Sequence, residues 1–121
     1  MPKSLSTGMP DADCLVVPYN GLMHLPKLTG DEIEIGLRPL SDWKVVNEKL
    51  HREYQFPDFV HALGFMATAA IAIEKRNHHP EWSNVYNRVT VDLTTHDAGG
   101  ITQNDLELAA LLENLAQKLR A

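Results

Sequence analysis

Apolar and polar residues along this chain alternate, cluster and then alternate again. From Lys49 to Phe56, "KLHREYQF", Leu50, Arg52, Tyr54 and Phe56 fall on one side and Lys49, His51, Glu53 and Gln55 on the other, the period-2 mark of a strand. The preceding "DWKVVN" (Asp42 to Asn47) alternates weakly, and the intervening "NEK" suits a hairpin loop. A second pair reads the same way, "WSNVY" (Trp82 to Tyr86) and "RVTVDLTTH" (Arg88 to His96), joined near Asn87. In its second member Val89, Val91 and Leu93 face one way while Arg88, Thr90, Asp92, Thr94 and His96 face the other. Between the two pairs the period changes. Pro57 suits the first turn of a helix, and Phe59, Leu63, Met66, Ala70 and Ile73 then recur at helical spacing as one apolar stripe, to about Lys75. Ala62, Ala69 and Gly64-x-x-x-Thr68 leave the flanks of that helix small. It can therefore pack on more than one side, against a sheet and a partner helix or at an oligomer interface.

Two shorter signals complete the elements. "TGDE", Thr29 to Glu32, has the form of a capping box and predicts a short helix that stops before Pro39. "DAGG" is a turn, and Thr102 with Asp105 three residues on opens a final helix carrying Leu106, Ala109, Ala110, Leu112 and Leu115. Residues 1–27, with Pro2, Pro10, Pro18 and Pro26, show no sustained period and read as an irregular arm. The predicted domain is 28–121, with element order α-β-β-α-β-β-α. Short connections make each strand pair antiparallel, so the expected fold class is α+β, a four-stranded antiparallel sheet with helices packed on one face.

Composition narrows the function classes. At 121 residues the chain is long enough for one genuine core. A net charge of −5 with no run of Lys and Arg argues against nucleic acid as a partner. The single cysteine, Cys14, cannot close an internal disulfide or build a multi-cysteine zinc site. "ALGFMATAAIAI", Ala62 to Ile73, is too short to span a bilayer, and the N-terminus lacks the charge-then-apolar order of a signal peptide. No membrane partner and a cytoplasmic location are the expectations.

The chemistry concentrates between Ile73 and Gly100, which hold three of the six histidines: His78, His79 and His96. Adjacent histidines rarely coordinate one ion well, and no His-x-x-x-His or His-x-His pair is present, so metal ligation ranks below acid–base work. Imidazole is the side chain whose ordinary pKa lies nearest neutrality, so one ring can give a proton while another accepts one. Pro80 fixes the backbone after His79. No Ser or Cys sits in a nucleophile-like context. Plain structural roles suffice for the others: His24 and His51 read as solvated surface, His61 as a polar-face or interface residue, Asp105 as a charge suited to a helix N-terminus, and Trp82 as core or as a stacking wall.

Beyond these patterns, "EKRNHHPEWSNVYNRVTVDLTTHDAGGITQNDLELA" resembles the signature region of the pterin-4a-carbinolamine dehydratases: Glu74, three residues, His78-His79-Pro80, then Tyr86, His96 and Asp105. Upstream, "WKVVN" and "REYQFPDFVHALGFM" resemble the family's paired strands and first long helix, so the resemblance runs from about Thr29 to the C-terminus. It implies dehydration of 4a-hydroxytetrahydropterin to quinonoid dihydropterin, a lyase step that recycles tetrahydropterin, with no metal and no cofactor. It implies His78 and His96 as the acid–base pair and His79 as the residue that orients the pterin. Pro80, Thr95, Asp97, Ala98 and Trp82 would line the pterin pocket, with Glu74, Asn77 and Asp105 in support. Asn77 stands where many members carry Asp, so a negative charge beside His78 is missing at that position. The resemblance also implies a homodimer or homotetramer and a functional link to an aromatic amino acid hydroxylase. Its alternative reading is a non-catalytic or dual-function binding factor of the dimerisation-cofactor kind.

Overall fold

The computed structural model describes residues 25–120. Helix α1 (Gly30–Gly36) is followed by strands β1 (Lys44–Val46) and β2 (Lys49–Gln55), helix α2 (Phe59–Arg76), strands β3 (Glu81–Val85) and β4 (Arg88–Leu93), a 3-10 turn (His96–Ala98) and helix α3 (Gln103–Arg120). This is the expected α-β-β-α-β-β-α order and an α+β fold. The expected arm lies outside the described residues up to position 24, as do Cys14 and His24.

The strands form one antiparallel sheet in the order β1-β2-β4-β3. Its centre is the long-range pairing of β2 with β4, Leu50 opposite Leu93 through Gln55 opposite Arg88. Both hairpins turn on residues with positive φ, Asn47 and Glu48 in the first and Tyr86 in the second. Tyr86 therefore belongs to the turn, not to the strand the alternation suggested.

Alternation decides which face is covered. Leu50, Arg52 and Tyr54 of β2, Phe56 just after it, and Val89, Val91 and Leu93 of β4 are buried beneath α2 and α3. Phe65 of α2 lies 5.2 Å from the Tyr54 ring and 5.1 Å from Phe56, centroid to centroid, an aromatic cluster at the middle of the core. Such pairs contribute roughly 0.5–1.5 kcal/mol each beyond area burial. Glu113 of α3 satisfies the polar atoms that this packing buries. Its Oε1 accepts from Tyr54 Oη (2.9 Å), Trp43 Nε1 (3.2 Å) and Arg52 Nε (3.4 Å). Burial lifts the Tyr54 hydroxyl far above its ordinary pKa, with the Glu113 carboxylate adding to the effect. Burial also pulls Glu113 upward, but the bonds from Tyr54, Arg52 and Trp43 outweigh it and hold that carboxyl below the usual range.

The face of α2 turned to the core corrects the expected stripe. Ala62, Phe65, Ala69 and Ile73 are the buried residues, whereas Phe59 and Leu63 are about half exposed and Val60 and Ile71 are roughly three-quarters exposed. Small alanines beside Phe65 and Ile73 let the helix approach the sheet closely, while Phe59, Val60, Leu63 and Ile71 point away from it. At the other end of the fold, α1 begins with its capping box intact, Thr29 Oγ1 accepting from Glu32 N and Glu32 Oε1 from Thr29 N. It packs so tightly on α3 that a Cβ at Gly36 would lie 2.4 Å from Leu106 Cδ1. Among the described residues, no helix is long and apolar enough to cross a membrane.

Candidate active site

Two chain reversals bring the histidines together. Helix α2 ends at Asn77, whose left-handed backbone (φ 55°, ψ 40°) turns the chain sharply so that His78 and His79 follow directly. Asn tolerates that conformation better than most residues because its short polar side chain bonds locally. Strand β4 ends at Leu93, and Thr95 then pairs back with Gly100 to close the turn that carries His96, with Gly99 at φ 74° supplying the reversal. Thr94 and His96 therefore lie past the strand that sequence alternation extended to them. The two segments meet in a cavity of about 260 Å³ lined by Asn77, His78, His79, Thr94, Thr95, His96 and Asp97.

Behind the cavity is a buried polar cluster. Asp105, fully buried on the first turn of α3, accepts from His78 Nε2 at 2.6 Å through Oδ1. Its Oδ2 accepts from Thr95 Oγ1 (2.8 Å) and from Thr102 N (2.9 Å), and the two threonine hydroxyls lie 2.8 Å apart. Asp105 thus caps its own helix and anchors His78 with the same carboxylate. The bond to Thr102 N agrees with its helix-start reading. The bond to His78 adds a role that the helix dipole alone does not explain.

The other two rings also face carboxylates. His79 Nε2 lies 3.0 Å from Glu74 Oε1, one turn back on α2, and His96 Nε2 lies 3.6 Å from Glu81 Oε2 at the start of β3. An ionised carboxylate only accepts, so in the hydrogen bonds of His78 and His79 the Nε2 is the donor, whereas His96 Nε2 at 3.6 Å is within ion-pair range of Glu81 without a hydrogen bond. Exposure rises along the series: 14% of the His78 side chain is open to solvent, 55% of His79 and 80% of His96. One ring is anchored in the wall and two stand at the rim.

A family model for pterin 4 alpha carbinolamine dehydratase matches residues 26–115. The chain belongs to the pterin 4 alpha carbinolamine dehydratase family. Its members are dehydratases, a class of lyase. The chain is 64% identical over 90 residues to a protein of Solibacter usitatus (strain Ellin6076), covering 74% of this chain and 95% of the relative. It is 45% identical over 98 residues to one of Rhizobium johnstonii (strain DSM 114642 / LMG 32736 / 3841), covering 79% and 97%. Both are named "Putative pterin-4-alpha-carbinolamine dehydratase". A crystal structure from Brucella melitensis, described as a transcriptional coactivator/pterin dehydratase, superposes with a TM-score of 0.72 at 44% identity, covering 74% of this chain and 98% of that one.

Within this dehydratase fold the residues picked out from sequence are placed as follows. His78, His79, His96, Thr95, Asp97 and Asn77 line the cavity, while Glu74 and Asp105 stand behind rings that do. Pro80, Ala98 and Trp82 are not among the lining residues, and Trp82 packs half-buried against the core opposite Val91. His61 bonds Asp58 at the start of α2. His51 is not simply solvated: its Nδ1 lies 2.8 Å from Asp92 Oδ1 on the neighbouring strand. Sequence reasoning passed over Thr94, Thr102 as a partner of Asp105, and Glu81. Only the sheet register, which sets Glu81 opposite Asp92 and beside the β4 end, brings the last of these to His96.

Proposed function

We propose that this protein removes water from 4a-hydroxytetrahydropterin, giving quinonoid dihydropterin, by acid–base catalysis with its histidines. The observation that carries the reading is the cavity with three imidazoles of graded exposure, each with one nitrogen facing a carboxylate. Dehydration needs one proton delivered to the departing 4a-hydroxyl, which leaves as water, and one removed from a ring nitrogen, so the charge balances within the site. We assign these transfers to His78 and His96, and to His79 the orientation of the pterin. Anchored by Asp105, His78 cannot swing, whereas His96 at the rim can exchange its proton with water between turnovers. Thr95 and Asp97 would hold the pterin from the opposite wall, with Asn77 adding a neutral hydrogen-bonding group. The reaction would serve tetrahydropterin recycling beside an aromatic amino acid hydroxylase in the cytoplasm.

The test is the dehydration of chemically generated 4a-hydroxytetrahydropterin, followed by absorbance at neutral pH with chelator present. We expect fast turnover by the wild type and a loss of about 10²-fold or more in His78→Ala. No acceleration over buffer by folded protein would overturn the reading.

One observation favours a second role beside the first. The outward face of α2 presents Val60, Leu63 and Ile71 to solvent, a stripe that a lone domain would not be expected to leave bare. A homodimer or homotetramer packing this face is our expectation. A dual-function factor of the coactivator kind, the description carried by the Brucella structure, would use the same face. Sedimentation of the purified chain separates the two, since self-association needs no second protein.

A further inference from the structure

His96 stands at the open rim, and the group opposite its Nε2 is Glu81, a residue with no part in the sequence pattern of the site. The carboxylate of Glu81 is divided between two partners. Oε2 lies 3.6 Å from His96 Nε2, and Oε1 lies 2.6 Å from Lys49 Nζ. We propose that Glu81 is the positioning residue for His96, and that Lys49, two strands away, acts on the same imidazole through it.

The sheet register makes this arrangement. On the uncovered face, Lys44 of β1 sits opposite His51 of β2, His51 opposite Asp92 of β4, and Asp92 opposite Glu81 of β3. Basic side chains on β1 and β2 thus give way to acidic ones on β4 and β3, ending beside the turn that carries His96. Lys49, on the same face of β2, reaches past Asp92 to Glu81. The Lys49 ammonium, more than the His96 ring, holds the Glu81 carboxyl below its usual range. Glu81 therefore keeps its charge at neutral pH and is tethered at one oxygen. The other charged or titratable groups around His96 are Asp97 in its own turn, Asp92 on β4, His78 and His79 across the cavity, and Lys27, whose alkyl stem lies against Gly100. Of these groups, Glu81 is the one in ion-pair range of the ring nitrogen. Side chains this exposed interact weakly one pair at a time, and salt weakens them further. The effect is therefore one of tuning and placement: a tethered carboxylate holds His96 toward the cavity mouth, and a lysine limits how much negative charge the ring meets.

The kinetic consequence rests on the dehydration reading, whereas the placement of His96 does not. The test compares wild type, Glu81→Gln, Lys49→Met and the double variant at low salt. Two readouts are taken: the pH profile of kcat, and the His96 ring resonances in long-range nitrogen–proton NMR spectra. Glu81→Gln removes a negative charge beside the ring, which disfavours imidazolium, so its profile moves to lower pH. Lys49→Met unmasks that charge, so its profile moves to higher pH. Displacements of about 0.2–0.7 pH unit are expected, the range that exposed ion pairs support. The double variant matches Glu81→Gln, because Lys49 has no route to His96 without the carboxylate. A merely structural role for either residue would lower both rates without opposite displacements. Displacements of the same sign, additive effects in the double variant, or His96 resonances unmoved by either change would overturn the proposal. If the wild type fails to accelerate dehydration while the His96 resonances respond as described, the positioning stands and the dehydratase reading falls.

Discussion

Replacing Asp105 by Asn changes one atom of a fully buried side chain and tests the anchor of His78 directly. Three donors converge on the native carboxylate: His78 Nε2 on Oδ1, and Thr95 Oγ1 with Thr102 N on Oδ2. Asparagine offers one oxygen and one NH2. Its oxygen must stay with Thr102 N, since an amide donor placed there would leave two buried N–H groups facing each other. The NH2 then points at His78 Nε2, which must accept. The neutral ring accordingly moves its proton to Nδ1, the nitrogen that native His78 turns away from the carboxylate. Charge-assisted bonds are worth about 1.5–3 kcal/mol against about 1 for neutral ones, so weakening the set should destabilise the fold by about 2 kcal/mol. At about 4–8 °C per kcal/mol in a domain this small, the melting temperature should fall by about 8–16 °C. Dehydration should slow by about 10²-fold even well below the new melting temperature, because the proton sits on the wrong nitrogen. Thermal unfolding, turnover and the nitrogen-15 shifts of the His78 ring measure the three effects separately. A variant that melts within a degree of wild type and keeps the Nε2–H form would refute this account of the anchor.

Other perturbations address the core and the bare helix face. Glu113→Gln should cost about 1.5–3 kcal/mol at neutral pH. Because the folded carboxyl is held below its ordinary range, that advantage is complete above the unfolded value of about 4.3 and fades as pH falls through the folded one; denaturant melts at pH 7 and pH 3 should show the gap between variant and wild type closing. Tyr54 has the opposite sign. Its hydroxyl is pushed up by burial, so the fold should lose about 1.4 kcal/mol for each pH unit above about 10, and Tyr54→Phe should flatten that alkaline slope in the same melts. Ile71→Glu, on a residue 74% exposed, should leave the monomer's stability within about 0.5 kcal/mol while shifting sedimentation toward smaller species; unchanged sedimentation would move the interface elsewhere.

Most of the architecture was legible because it rests on period and turn chemistry. The alternation of "KLHREYQF" assigned all four buried residues of that segment correctly, and the capping box placed the first helix. Helix α2 was harder for a physical reason. Apolar residues occupy most of its circumference, so periodicity finds a stripe without saying which side meets the sheet, and the alanines made the closer contact. Alternation also ran one turn too far at Thr94 and His96, where a Thr95–Gly100 pairing ends the strand. The histidines stood out as residue types in a cluster, whereas Asp105 read as a helix-start charge and entered the site only through the family resemblance. Glu81 and Lys49 did not stand out, since a charged residue at a strand edge has a sufficient solvated role until the register shows what lies beside it.

The pairing of β2 with β4 has a consequence for how the chain reaches this state. Each hairpin is local, but the seam between them joins Leu50–Gln55 to Arg88–Leu93 across the whole of α2, and loop-closure entropy makes such a pairing the slow one. The histidine cavity lies on the far side of that seam: His78 follows the connecting helix, His96 follows β4, and Asp105 arrives only with α3. Lys49, which tethers Glu81, comes from the first hairpin and reaches its partner only once the seam has closed. During refolding, secondary structure should therefore recover before turnover does, and turnover should return with the last, long-range phase.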